Sequence, residues 1–221
     1  MLALGGRPIL EHNVRLLAAA GIRDLIINTH YRASTVEGYF GDGAAFGVNI
    51  TYSREAVLRG TAGALAPVRG ELRETFVVVF GDNLTTLDLG AMLAFHRERR
   101  ADVSIALFAR ENATASGVVE VTDGGRIVRF VEKPKPGEVF SNWVNAGYLI
   151  CEPALLDFVP DTIPWDFGRD VFPAMLRAGR PLYGYCMGEG EDLWWIDSCA
   201  EYEQMMALFA GQDNANTSRL M

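Results

Sequence analysis

Short, uninterrupted apolar runs alternate with helix-like stretches through the first half of this chain. That pattern fits strands of a parallel sheet buried on both faces, and it excludes all-helical bundles and all-β sandwiches. PILEHNVRLLAAAG predicts a helix with Pro8 at its first position and Gly21 as its stop. DLIINT follows as a strand, ASTVEGYF as a helix and VNITYS as a strand beyond a Gly-Asp-Gly turn. RGTAGAL opens a short Gly-rich helix and leads into the strand TFVVVF; LDLGAMLAFHRERR is an amphipathic helix before the strand ADVSIALFA.

The period then changes. GVVEVTDGGRIVRFVEKP reads as two alternating strands around Asp123-Gly124-Gly125, a hairpin signal. NWVNAGYLI is a further strand, GRDVFPAMLRAG a helix with an internal Pro173, PLYGYCM and DLWWID are strands, and CAEYEQMMALFA is a closing helix. The expected fold is α/β: a Rossmann-like open, mostly parallel sheet with helices on both faces, and a mixed, hairpin-bearing second half. No internal repeat or linker divides the chain, so one domain is expected over 1–221, with halves at 1–110 and 111–210 and a frayed tail at 211–221.

A net charge of -8 disfavours nucleic acid and anionic membranes as partners. No apolar run approaches the roughly 20 residues of a membrane span, and the start, MLALGGRPIL, has neither the basic nor the long apolar region of a secretory leader. Three cysteines without metal-type spacing suit a reduced, cytoplasmic protein without zinc or disulfides. The only lysines are Lys133 and Lys135, within EKPKPG; every other basic residue is an arginine. Lysine kept at one place in such a chain suits a requirement for a compact, movable ammonium, although a solvated loop would also accept it.

Ligands of open α/β sheets bind beyond the carboxyl ends of the strands, where FVVVF ends in Gly81, Asp82 and Asn83. The triplet also suits an Asx turn. Asp197, after LWWI, is a second carboxylate at a strand end. Two such acids can converge on one hard cation, and Mg²⁺ commonly takes one or two protein carboxylates plus phosphate oxygens.

GGRPILEH, RGTAGAL, FVVVFGDN, SGVVEV with GRIVRFVEKP, NAGYLI and WWIDS stand in the order found in the sugar-phosphate nucleotidyltransferases, which the chain resembles over nearly its whole length. The resemblance implies condensation of a nucleoside triphosphate with a sugar 1-phosphate, giving a nucleoside-diphosphate sugar and pyrophosphate. It implies a nucleotide-binding first half and a sugar-phosphate-binding second half. Asp82 and Asp197 would hold Mg²⁺, and Lys133 would bind the sugar phosphate. Glu132 would accept hydrogen bonds from sugar hydroxyls, and Gly117 and Asn145 would line the sugar pocket. Gly60, Thr61 and Ala62 would pass close to the nucleobase, with Gly81, Asn83 and Trp195 in the substrate site; Trp194 and Trp195 also suit core and site wall. His12, His96 and Arg169 receive no role from position alone, and His30 and Tyr31 suit a plain loop.

GTAGAL favours GTP and mannose 1-phosphate as substrates; dTTP and glucose 1-phosphate are the alternative, as is a non-catalytic sugar-nucleotide-binding subunit. A glycosyltransferase is disfavoured, because Asn83 and Leu84 follow Asp82 where such enzymes commonly show an Asp-x-Asp motif after the strand. Oligomeric state, monomer or homo-oligomer, is left open. Two departures stand out. Ser116 occupies the position before the glycine of GVVE where the family often has an aromatic residue. The chain also begins at MLALGGRPI, whereas the family opens with a strand and a Gly-rich, phosphate-cradling loop. From this the expectation is weak triphosphate binding and unpaired edges on LIINT and FVVVF.

Overall fold

The structure is a computed structural model and describes residues 1–162, 164–196 and 198–210. In chain order the strands and α-helices are β1 (Ala3–Leu4), β2 (Arg7–Pro8), α1 (Ile9–Ala19), β3 (Asp24–Thr29), α2 (Ala33–Phe40), β4 (Asn49–Arg54), β5 (Phe76–Val79), β6 (Asn83–Thr85), α3 (Leu89–Arg99), β7 (Val103–Ala109), β8 (Gly117–Val121), β9 (Ile127–Glu132), β10 (Trp143–Cys151), α4 (Phe172–Arg177), β11 (Leu182–Cys186), β12 (Leu193–Trp195) and α5 (Cys199–Ala210). They form two compact units, one from Met1–Arg54, Phe80–Leu89 and the segment from Gly188 onward, the other from Glu55–Val79 and Gly90–Met187.

In the first unit β3 and β4 pair in parallel over all six residues of each, from Asp24 opposite Asn49 to Thr29 opposite Arg54. Val14 of α1, Leu25, Phe40 of α2, Val48 and Ile50 form one core cluster there. A second cluster joins Leu4, Ile9, Leu84, Ile196 and Met205, with Trp194, Tyr202 and Phe209 against it. α1 begins at Ile9 with Pro8 as the residue before its first turn. Proline suits that place, because its fixed φ is pre-organised and the N–H it lacks has no partner inside a helix.

The second unit is built on a six-stranded sheet in the order β11-β7-β10-β8-β9, with β5 also on β10. β11 runs parallel to β7, and the other pairings are antiparallel. β7 is buried at every position from Val103 to Leu107, as a strand covered on both faces must be. The expected hairpin is present: β8 and β9 pair from Gly117 opposite Glu132 to Val121 opposite Ile127.

β10 organises this sheet. It pairs with β7 along one edge. On its other edge Val144 faces Val118 of β8, whereas Tyr148 to Cys151 face Val79 to Phe76 of β5. The change of partner coincides with a bulge between Asn145 and Leu149. There Gly147 takes φ +80°, and Asn145 Oδ1 accepts the Gly147 N–H at 2.9 Å. Glycine fits because a left-handed backbone excludes most side chains.

Among the described residues β3 pairs only with β4 and β5 only with β10, so each has one unpaired edge. The helix expected over 168–179 divides at its proline: Phe167–Val171 forms a wider π-turn and Phe172–Arg177 an α-helix with Pro173 in its first turn. No described helix is long and apolar enough to cross a membrane. All three cysteines are free thiols, with Cys151 buried.

Candidate functional site

In the second unit the expected sugar-side residues fall on one line across three strands. Gly117 of β8 lies opposite Glu132 of β9. Antiparallel register, carried one residue on from the Val118–Val144 pair, sets Gly117 level with Asn145 at the β10 bulge. A Cβ on Gly117 would collide with the Phe130 ring and stand 2.8 Å from Glu132 Oε2. Gly168, in the π-turn, backs the same oxygen so closely that any Cβ there would collide with it. Two glycines thus form the slot holding the Glu132 carboxylate, and only residues without side chains leave room for it.

Glu132 is half-buried, and burial pushes its carboxyl above the usual carboxylate range. The negative charge of Asp166 adds to this shift, while Lys133 and Arg169 oppose it. Two cations and two carboxylates therefore share this neighbourhood. Lys133 is exposed and has φ +49°, a left-handed conformation outside glycine, and its N–H donates to Ser116 O at 3.1 Å. That conformation costs about 1–2 kcal/mol for an L-residue, so the surrounding hairpin holds it there. It turns the chain at the end of β9, directly after the carboxylate.

Gly60, Thr61 and Ala62 lie against the segment 165–167. Gly60 has φ +81°, and its α-carbon approaches the Trp165 peptide so closely that a Cβ would collide with the carbonyl oxygen. Ala62 N–H and Gly63 N–H both donate to Trp165 O, at 3.0 and 2.9 Å, and Trp165 N–H donates to Arg59 O at 2.8 Å. Thr61 Oγ1 donates to Asp166 Oδ2 and accepts from Phe167 N–H, both at 3.0 Å. The close approach these small residues permit within the described structure is thus to another backbone.

In the first unit Gly81 and Asp82 are exposed, and Asn83 is buried. Leu10 Cδ1 lies 3.2 Å from where a Gly81 Cβ would stand. Asn83 opens β6 opposite Trp195 of β12, and its carbonyl accepts from the Asn13 side chain at 2.9 Å. Trp194, opposite Leu84, packs on the core, and Trp195 is half-buried. No hydrogen bond or ion pair among the described residues engages the Asp82 carboxylate. An exposed oxygen pair without a protein partner is a fitting hard ligand for Mg²⁺. Asp197, the second expected ligand, lies outside the described residues. No group of three or more His, Cys, Asp or Glu side chains that could hold a metal is present among the described residues.

The histidines without an assigned role at 12 and 96 are structural. His12 Nε2 contacts Leu4 O at 3.1 Å, and buried His96 bridges Ser104 Oγ at 2.9 Å and Glu152 Oε1 at 3.2 Å. Tyr31 is exposed beneath the Arg32 guanidinium. Sequence reasoning missed Asp166 and Gly168. An Asp two residues before a Gly, after Ile-Pro-Trp and before an apolar run, is a helix-entry signal that could have marked them.

A sequence model described as nucleotidyl transferase matches residues 1–205. Mannose-1-phosphate guanylyltransferase of Mycobacterium tuberculosis is 38% identical over 187 residues, covering 84% of this chain and 52% of that protein. UTP–glucose-1-phosphate uridylyltransferase of Synechocystis is 34% identical over 211 residues, covering 89% of this chain and 53% of that protein. This chain therefore spans about half the length of the curated relatives it matches. A crystal structure from Bacillus anthracis, described as a glucose-1-phosphate thymidylyltransferase, superposes with a TM-score of 0.84 at 20% identity, covering 97% of this chain and 87% of that one. At that identity the likeness establishes the α/β fold.

Proposed function

Because the chain belongs to the nucleotidyl transferase family, we propose that it joins a nucleoside triphosphate to a sugar 1-phosphate, releasing pyrophosphate, with GTP and mannose 1-phosphate as its substrates. The observation carrying this reading is the Glu132 slot: a half-buried carboxylate between two glycines, level with Asn145 and followed at once by an exposed lysine. A half-buried carboxylate accepts hydrogen bonds from sugar hydroxyls, and an adjacent ammonium neutralises the phosphate on the same sugar.

In this reading Glu132, Gly117 and Asn145 hold the sugar, and Lys133 fixes its phosphate as nucleophile. Gly60, Thr61 and Ala62 border the base, while Gly81, Asn83 and Trp195 frame the nucleotide beside Asp82. Asp82, with Asp197, would hold Mg²⁺, which supplies neutralisation of phosphate charge. The sugar-phosphate oxygen attacks the α-phosphorus and the P–O bond to the β-phosphate breaks, so that pyrophosphate leaves with the electron pair. The protein needs no covalent intermediate; orienting the two anions in line is its contribution.

A matrix of GTP, dTTP and UTP against mannose 1-phosphate and glucose 1-phosphate, read as pyrophosphate release, tests the proposal. Turnover greatest with GTP and mannose 1-phosphate is the expected result. Preference for another pair would move the substrate assignment, and binding without turnover in every cell would favour a sugar-nucleotide-binding subunit.

A further inference from the structure

Asp166 connects two places that the proposed function treats separately. Its Oδ2 accepts from the Thr61 hydroxyl at 3.0 Å, within the segment assigned to the nucleobase. Its Oδ1 accepts from Gly168 N–H at 3.1 Å, and Gly168 is one wall of the Glu132 slot. Its own N–H donates to Asp170 Oδ2 at 2.8 Å. Both carboxylate oxygens are therefore committed, one to each side. The backbone reinforces the link, since Ala62 and Gly63 donate to Trp165 O and Phe167 donates to Thr61 Oγ1.

Resting on the assignment of Thr61 to the nucleotide and Glu132 to the sugar, we propose that Asp166 is a positioning residue that makes the two subsites one mechanical unit. Ordering of the segment 59–63 by a base is passed through Thr61, Asp166 and Gly168 to the wall behind Glu132. Filling one subsite then prepares the other. The bonds, at 3.0 and 3.1 Å, are of ordinary length, and the path contains no flexible side chain longer than an aspartate.

Thr61 is the informative position, because it belongs to the nucleotide-side segment and is not a contact of the Glu132 carboxylate. Thr61→Val removes the hydroxyl at constant shape. It should raise KM for mannose 1-phosphate about fivefold or more, because the bonds to the Asp166 carboxylate and from Phe167 N–H are lost together. Thr61→Ser keeps the hydroxyl and should stay near the parent value.

Asp166→Asn supplies a readout that needs no turnover. Glu132 is faced by Asp166, Lys133 and Arg169, and removing the Asp166 charge leaves two cations and burial acting on it. The Glu132 midpoint, followed by carboxyl-carbon NMR in the substrate-free protein, should move down. An unmoved midpoint, or a Thr61→Val variant changed only in its nucleotide KM, would overturn the positioning role. If the midpoint moves as expected but the parent protein forms no pyrophosphate, the link from Asp166 to Glu132 stands and nucleotidyl transfer is the reading that fails.

Discussion

The Asn13 side-chain amide in α1 donates to the Asn83 carbonyl oxygen at 2.9 Å, joining two buried residues 70 positions apart. This bond anchors the backbone one residue after Asp82, so helix α1 fixes the turn that presents the exposed carboxylate. Asn13→Leu keeps the number and branching of side-chain heavy atoms and removes the donor. Losing this buried hydrogen bond should cost about 0.5–1.5 kcal/mol, which urea denaturation would register as a lower midpoint at unchanged slope.

Asp82 itself carries no structural bond among the described residues, so its loss should be felt in turnover alone. Asp82→Asn is expected to melt with the parent protein. Its pyrophosphate release should fall about 100-fold or more, since charge neutralisation at phosphate is worth several kcal/mol. Parent-like release would remove Asp82 from the metal site.

Lys133 separates stability from function because its backbone is strained and its side chain is exposed. Lys133→Gly relieves the left-handed cost, partly offset by the greater freedom of glycine in the unfolded chain. Stability should hold or rise by up to about 1 kcal/mol. The same change should weaken sugar-phosphate binding severely. Lys133→Arg should also behave as a lesion, because a planar guanidinium cannot place one compact charge where the ammonium stands. Lys135→Arg should be nearly silent, and equal behaviour of the two arginine variants would leave Lys133 without a special role.

Glu132 predicts the direction of a pH effect. Its folded carboxyl titrates above the usual value, so its contribution to stability is fully present below the ordinary glutamate range. That contribution is lost as pH rises through the raised folded value. Glu132→Gln should remove this fall and make the variant relatively more stable at neutral pH, measured by melting between acid and neutral buffer. Sugar 1-phosphate affinity should show the opposite trend, weakening in acid as the acceptor carboxylate is protonated.

Glu11 behaves with the other sign. Burial is the largest single influence and pushes its carboxyl up, but hydrogen bonds from Tyr39 and Arg15 and the charges of Arg15 and Arg7 outweigh it. Tyr39 Oη donates to Glu11 Oε2 at 2.5 Å, and Arg15 Nε donates to Oε1 at 2.6 Å. With the folded value lowered, this stabilisation is present above the ordinary glutamate range and lost as pH falls. Tyr39→Phe should lower stability near neutrality and progressively less in acid, measured by melting across that range.

Much of the sugar side was legible in the sequence, because a hairpin writes its register locally. The alternation of 117–121 and 127–132 around Asp123-Gly124-Gly125 already pairs Gly117 with Glu132. DLIINT and ASTVEGYF were equally readable, and both coincide with β3 and α2. What could not be read was non-local. That β10 changes partner from β8 to β5 depends on a bulge at Gly147, and nothing in NWVNAGYLI announces which strand lies on either side. Likewise the smallness of Gly60 suggested room for a flat ring, whereas in the structure it admits the Trp165 peptide more than a hundred residues later. Asp166 was overlooked because its partner Thr61 is also remote.

The π-turn at Phe167–Val171 has a consequence for how sequence length can vary here. A π-turn is an α-helix holding one residue more than its hydrogen-bond ladder needs, so it is where a single-residue insertion or deletion is absorbed. Deleting one residue from it would regularise the helix and rotate everything before it by about 100° relative to α4. Asp166 would be carried off Thr61 and Gly168 off Glu132, although no contacting side chain had been replaced. A gap of one between homologous chains at this turn is therefore a larger change to the site than many substitutions within it.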